Sequence, residues 1–146
     1  MLMLKLLKEN ILYAVAIDQY HMLSLLVDVL KSMKKLKPFC ILIDSINSHY
    51  RVEAAASEGT ILFAELLTLL ELFNRNNVFV ITSAQIRHGE DVLPGYDYLM
   101  LWSDTVLEVF STRTYRALRF HKPKIDTVFC FNITLSGVRW VKCYPH

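Results

Sequence analysis

Phe39-Cys-Ile-Leu-Ile-Asp-Ser45 is the stretch whose reading decides the fold. An unbroken apolar run, too short for an ordinary helix and stopped by Asp44-Ser45, describes a strand buried on both faces. Working outward, Ile11-Leu-Tyr-Ala-Val-Ala-Ile17 is a similar run upstream, after an amphipathic start that ends at Asn10. Val78-Phe-Val-Ile-Thr82 is a third, downstream of the turn Asn74-Arg-Asn-Asn77. Between the first two runs, residues 19 to 36 set Met22, Leu23, Leu26, Val27, Leu30 and Met33 at helical spacing. Lys31, Lys34, Lys35 and Lys37 crowd the end of that helix, where cations complement its dipole, and Pro38 stops it. Residues 60 to 75 repeat the helical period after Ser57-Glu-Gly-Thr60. Strand, helix, strand, helix, strand in that order predicts an α/β fold with a mainly parallel sheet and helices on both faces.

After Gly95 the pattern changes to short alternating runs: Thr105–Phe110, Thr114–Phe120 and Thr127–Thr134, then the turn Leu135-Ser-Gly-Val138 and a last strand over Val138–Cys143. This predicts an antiparallel C-terminal finish. No internal repeat, linker or domain boundary interrupts residues 1–146, which read as a single domain.

The chain has 146 residues, 16 Lys+Arg against 14 Asp+Glu, and 53% hydrophobic residues. A formal charge of +2 is no electrostatic argument for nucleic acid or for an anionic membrane. The apolar runs fall short of the roughly 20 residues that a membrane span needs. Leu23–Leu30 is broken by Ser24 and Asp28, and Ile61–Phe73 by Glu65 and Glu71. Met1–Lys8 lacks the unbroken apolar stretch and small-residue cleavage site of a signal peptide. Cys40, Cys130 and Cys143 are odd in number and have no CxxC spacing. They read as thiols of a reducing cytoplasm, with Cys40 and Cys130 buried and free. The hydrophobic excess predicts an unusually apolar surface or a partner that covers part of it.

Asp44 is the most informative residue. A carboxylate directly after an apolar strand lies at the carboxyl edge of a parallel sheet, where open α/β folds bind ligands. The same pattern presents a Walker B carboxylate to magnesium on nucleotide phosphates. An equally ordinary use is to cap a helical turn beginning at Ile46. Thr82-Ser-Ala-Gln85 stands in the same relation to the third strand, where polar residues also end strands routinely. Arg87-His-Gly-Glu-Asp-Val-Leu-Pro-Gly95 is a polar loop leaving that edge, with Arg87 and His88 balanced by Glu90 and Asp91. Arg113, Arg116, Arg119, Lys122 and Lys124 form the main basic cluster, which strand alternation splits between two faces. The five histidines have no metal-ligand spacing. Gly59, Gly89, Gly95 and Gly137 are the four glycines and none precedes a lysine, so the chain has no GxxxxGK[ST] phosphate loop.

In order along the chain, these motifs resemble the RecA/RadA recombinase superfamily, most closely the archaeal RadB-like paralogues and more distantly the KaiC-like ATPases. Cys40-Ile-Leu-Ile-Asp-Ser-Ile46 resembles the Walker B strand, followed by His49-Tyr-Arg-Val-Glu53. Leu66–Leu72 with Asn76–Thr82 resembles the next helix and strand, and Gln85-Ile86 the strand-end glutamine. Leu101-Trp-Ser-Asp104 and Tyr115-Arg-Ala-Leu118 resemble later strands, and Phe131–Gly137 the closing hairpin. The resemblance runs from about Asn10 to Trp140.

It implies a truncated RecA-like core that begins after the phosphate loop and the strand with the catalytic glutamate. It also implies that Asp44 is the magnesium-side carboxylate and Gln85 the nucleotide sensor. Arg87 and His88 would lie in a DNA-binding loop, and Lys122 and Lys124 would form a finger to a neighbour's phosphate. Ala84 stands where asparagine is usual, Lys124 where arginine is, and Pro94-Gly-Tyr96 where a glycine pair is.

The function so implied is that of an accessory paralogue in DNA repair and recombination. Its partners would be a recombinase or a second copy, with weak binding of single-stranded DNA and none of membrane. It would carry no cofactor alone, and ATP with magnesium only where a partner supplies the phosphate loop. The alternatives are half of a composite ATP-hydrolysing site and a KaiC-like regulator without a DNA role.

Overall fold

The computed structural model describes residues 5–8, 11–53, 57–86, 92–112 and 114–143. They form mixed α and β structure in two compact units, Met1–Tyr96 and Asp97–His146.

In the first unit, β1 (Lys5–Lys8) and β2 (Ile11–Tyr13) pair antiparallel. Helix α1 (Gln19–Lys31) starts at Asp18, whose extended backbone lets its carboxylate accept the His21 amide at 2.6 Å. That satisfies one of the amides a helix start leaves unpaired. After Ser32 a short α2 (Met33–Leu36) ends on Lys37, which takes the left-handed conformation (φ 45°) just before Pro38. The lysine-rich helix expected over 19–36 is therefore two helices with a break at Ser32.

β3 (Cys40–Ile43) and β4 (Phe79–Thr82) are parallel and in register from Cys40↔Phe79 to Ile43↔Thr82. The crossover holds α3 (Tyr50–Glu53) and α4 (Ser57–Arg75). α4 supplies most of the core: Phe63, Leu66, Leu70 and Phe73 recur at three- and four-residue steps and are almost wholly buried. α1 lies along α4 with Met22 and Leu26 buried, and the Tyr20 hydroxyl donates to Glu58. Tyr50 stacks on Phe63 with ring centroids 4.3 Å apart. Gly95 (φ +80°) passes so close that a Cβ there would come within 2.9 Å of the Phe63 ring.

Two expectations are corrected in this unit. The strand read over residues 11–17 shrinks to Ile11–Tyr13 and joins β1, so β3 and β4 form the parallel part alone among the described residues. Lys5–Lys8 lies within hairpin reach of Ile11, and closing that short loop costs less entropy than a long parallel crossover. Nor do helices cover both faces. Ile41, Ile43 and Val80 are half-buried on one side, while Cys40, Leu42, Phe79 and Ile81 are exposed on the other, Leu42 by 71%.

The second unit opens within α5 (Tyr96–Trp102), so Leu101-Trp102 close a helix where the resemblance implied a strand. β5 (Val106–Ser111), β6 (Arg116–Lys122), β7 (Ile125–Thr134) and β8 (Gly137–Val141) then form an antiparallel meander in sequence order. The strands expected after Gly95 are thus present, as a sheet of their own. Alternation gives it two unlike faces. Leu107, Val109, Leu118, Phe120, Phe129, Phe131 and Trp140 share one, with Phe120, Phe129, Trp140 and Phe131 in an edge-to-face chain at 5.7–6.4 Å. Glu108, Arg119, Cys130, Asn132 and Arg139 mark the other.

The cysteine reading is corrected as well. Cys130 and Cys143 form a disulfide with Cα atoms 5.4 Å apart, and Cys40 is exposed rather than buried. Cys130 faces Val141 across the β7–β8 ladder, so Cys143, two residues further, points to the same side within bridging distance. Only strand register reveals that proximity.

Candidate functional site at the carboxyl edge of the parallel strands

β3 and β4 run in the same direction, so their carboxyl ends bring Asp44 and Ser83 side by side. The ladder continues past both strands: the Ser83 amide donates to the Ile43 carbonyl and the Ile46 amide to the Ser83 carbonyl, each at 2.9 Å. The Ser83 hydroxyl donates to Asp44 Oδ1. Beyond Asp44 the chain turns, and the Ser48 hydroxyl closes the turn on the Ser45 carbonyl at 3.0 Å.

Asn47, wholly buried below this turn, ties the two strand ends together. Its Nδ2 donates to the Gln85 carbonyl at 3.0 Å, and its Oδ1 accepts the Gln85 amide at 3.1 Å. An asparagine side chain used in this way mimics a neighbouring strand, satisfying both backbone groups of one residue. The Arg51 guanidinium from α3 donates to the same Gln85 carbonyl. His49 anchors the far side of the turn, its Nε2 lying 3.2 Å from the Ala16 carbonyl oxygen.

Three hydrogen bonds therefore fix the amide and carbonyl of Gln85 while the residue stays exposed, as Asp44 does. The arrangement presents one carboxylate, one hydroxyl and one amide at a sheet edge, groups able to bind a cation or orient water. Magnesium takes one or two protein carboxylates together with phosphate oxygens. Among the described residues no three His, Cys, Asp or Glu side chains gather.

The structure thus sets Asp44 and Gln85 at the same carboxyl edge, Asp44 bonded to Ser83 and Gln85 to Asn47. Arg87 and His88 lie outside the described residues. Lys122 and Lys124 belong to the second unit, at the end of β6 and in the turn after it. Lys122 Nζ donates to the Met100 carbonyl at 2.8 Å, where a cation meets the negative end of α5. Lys124 is exposed.

Sequence reasoning passed over two features. Asn47 was one polar residue among several in a turn, and its position three residues after a strand-end aspartate was the available signal. Glu108, which receives both Arg119 and His121 (the latter at 2.7 Å), is assembled only by strand pairing. Partial burial pushes the Glu108 carboxyl up, but hydrogen bonds from His121 and Arg119 and their charges outweigh it and hold the group below its usual range. The Arg119 guanidinium also lies over the Phe110 ring, 5.2 Å from its centroid.

A scan of the chain against protein-family models gives no match, and a search of curated proteins gives none either. Among the described residues no helix is long and apolar enough to cross a membrane.

Proposed function

We propose that this chain is an accessory RecA/RadB-like recombinase paralogue of the cytoplasm. It serves DNA repair and recombination by binding a recombinase and, weakly, single-stranded DNA, without hydrolysing ATP alone. The observation that carries this reading is that Asp44 and Gln85 follow the two parallel strands at one carboxyl edge, with the Gln85 backbone clamped by Asn47 and Arg51. A glutamine whose backbone is held this firmly at the edge that also carries a strand-end carboxylate suits a group that senses an occupied site and passes the signal to the loop after it.

Two further facts support a binding role. The 146 residues contain no GxxxxGK[ST] cradle, so phosphate binding has to come from elsewhere. The open side of β3 and β4, with Leu42, Phe79 and Ile81 exposed, is an apolar surface that a partner would bury.

Sedimentation of the chain with and without a RecA-type recombinase tests the reading. A complex that weakens in Leu42→Glu is the expected result, and an inert monomer under both conditions overturns it. Binding of single-stranded DNA should fall between about 50 and 200 mM salt in proportion to the few phosphates contacted. ATP hydrolysis by the chain alone, lost in Asp44→Ala, would contradict the proposal.

The Ser83–Asp44 hydrogen bond favours a second reading, a composite ATPase in which Asp44 acts on a nucleotide held by another chain. Nucleotide turnover that appears only when a chain bearing a phosphate loop is added, and that requires Asp44, would select it.

A further inference from the structure

We propose that the Cys130–Cys143 disulfide is a thiol-exchangeable latch on β8, and that its reduction frees the Trp140 end of that strand from β7. β8 is the last strand of its sheet and pairs with β7 alone. Gly137, Val138, Arg139 and Trp140 are all exposed and only Val141 is half-buried, so burial holds this strand weakly.

Its two ends are closed by different means. At one, Thr134 pairs with Gly137 and the Thr134 hydroxyl donates to the Gly137 carbonyl at 3.0 Å. At the other, Cys130↔Val141 is the final pair of the ladder, and the disulfide lies just beyond it. Opening the bond leaves the Val141 end held by ladder hydrogen bonds and the Trp140 ring contacts alone. Fraying then starts at Val141 and Trp140.

The two sulfurs differ in access. Cys130 is 2% exposed and Cys143 is half-buried, so a small thiol reaches Cys143 first. The thiolate of a glutathione-type reductant attacks Cys143 Sγ, a new S–S bond forms, and the protein disulfide breaks with Cys130 leaving as a thiolate that takes up a proton. A second reductant thiol resolves the mixed disulfide. Two small thiols are oxidised to one disulfide, and the protein gains two S–H groups. The intact turn keeps Cys143 near Cys130, so oxidised glutathione reverses the process.

Trp140 reports the state of the latch, because its ring lies 5.7 Å from Phe131 and 6.4 Å from Phe129. The experiment uses the full chain with Trp102→Phe, equilibrated in mixtures of reduced and oxidised glutathione. Thiols are counted after denaturation, and tryptophan emission and amide exchange are followed. The expected count is one thiol per chain when oxidised and three when reduced, matching the three cysteines. On reduction, Trp140 emission should shift to the red and amides of 139–143 should exchange at least about tenfold faster, while those of β6 keep their protection. Cys143→Ser should behave as the opened form in any buffer, and Cys40→Ser as the parent. Three thiols under oxidising conditions overturn the proposal. So does unchanged β8 exchange on reduction, and so does simultaneous loss of protection in β6, which would make the bond a staple of the whole sheet.

Discussion

At the scale of single residues, the two most consequential side chains are those that a linear reading undervalues. Asn47 gives both of its polar atoms to the Gln85 backbone from a wholly buried position. Asn47→Ala removes both side-chain hydrogen bonds to the Gln85 backbone, whose carbonyl keeps only the Arg51 guanidinium, and should cost about 1–3 kcal/mol in urea unfolding. Asn47→Asp keeps the acceptor but turns a buried carboxylate oxygen toward the Gln85 carbonyl, so it should cost at least as much. Glu108 makes a different prediction. Its folded value is lowered by Arg119 and His121, so its contribution to stability is complete above the usual carboxylate range. That contribution is lost as pH falls through the lowered folded value. Thermal melts from neutral to acid pH should therefore show a shallower acid loss in Glu108→Gln than in the parent. Asp44 and Gln85 were legible because a strand-end position is a local property of the chain. Asn47 and Glu108 were not, since each acquires its role from a partner that pairing brings in from a distant segment.

At the scale of elements, all four strands of the meander β5–β8 could be read, with ends displaced by a residue or two. Period-two alternation, broken by Pro123-Lys124 and by Leu135-Ser-Gly137, gives strand and turn together. The parallel part was harder. An apolar run such as Ile11–Ile17 announces burial but not its neighbour, and a nearby hairpin partner diverted it from β3. The short α5 had no long periodic stretch to reveal it. The glycines at two turns separate crowding from backbone strain. Gly95 (φ +80°) has the Phe63 and Tyr50 rings close to where a Cβ would stand, whereas Gly137 (φ +116°) has open space there. Gly137→Ala should cost about 1 kcal/mol through backbone conformation, and Gly95→Ala clearly more. Urea unfolding followed by a probe in each unit measures both.

At the scale of the whole molecule, the nearly neutral charge and the apolar excess are reconciled by where the apolar residues lie. Much of the excess is on sheet surfaces rather than in the core: Leu42, Phe79 and Ile81 on one sheet, Val109, Ile133 and Trp140 on another. Leu42→Glu should lower binding of a hydrophobic dye while changing the melting temperature little, since the side chain is mostly exposed already. An unchanged dye signal would show that this face is covered in solution. The order of strands along the chain also carries a kinetic consequence. β6 and β7 meet across a tight turn, but β3 cannot find β4 until everything between Asp44 and Val78 has been drawn in, and loop closure delays such pairing. Pulse-labelled refolding should protect amides of β6 and β7 before those of β4. In that sequence of events, the edge holding Asp44 and Gln85 is among the last parts of the chain to exist.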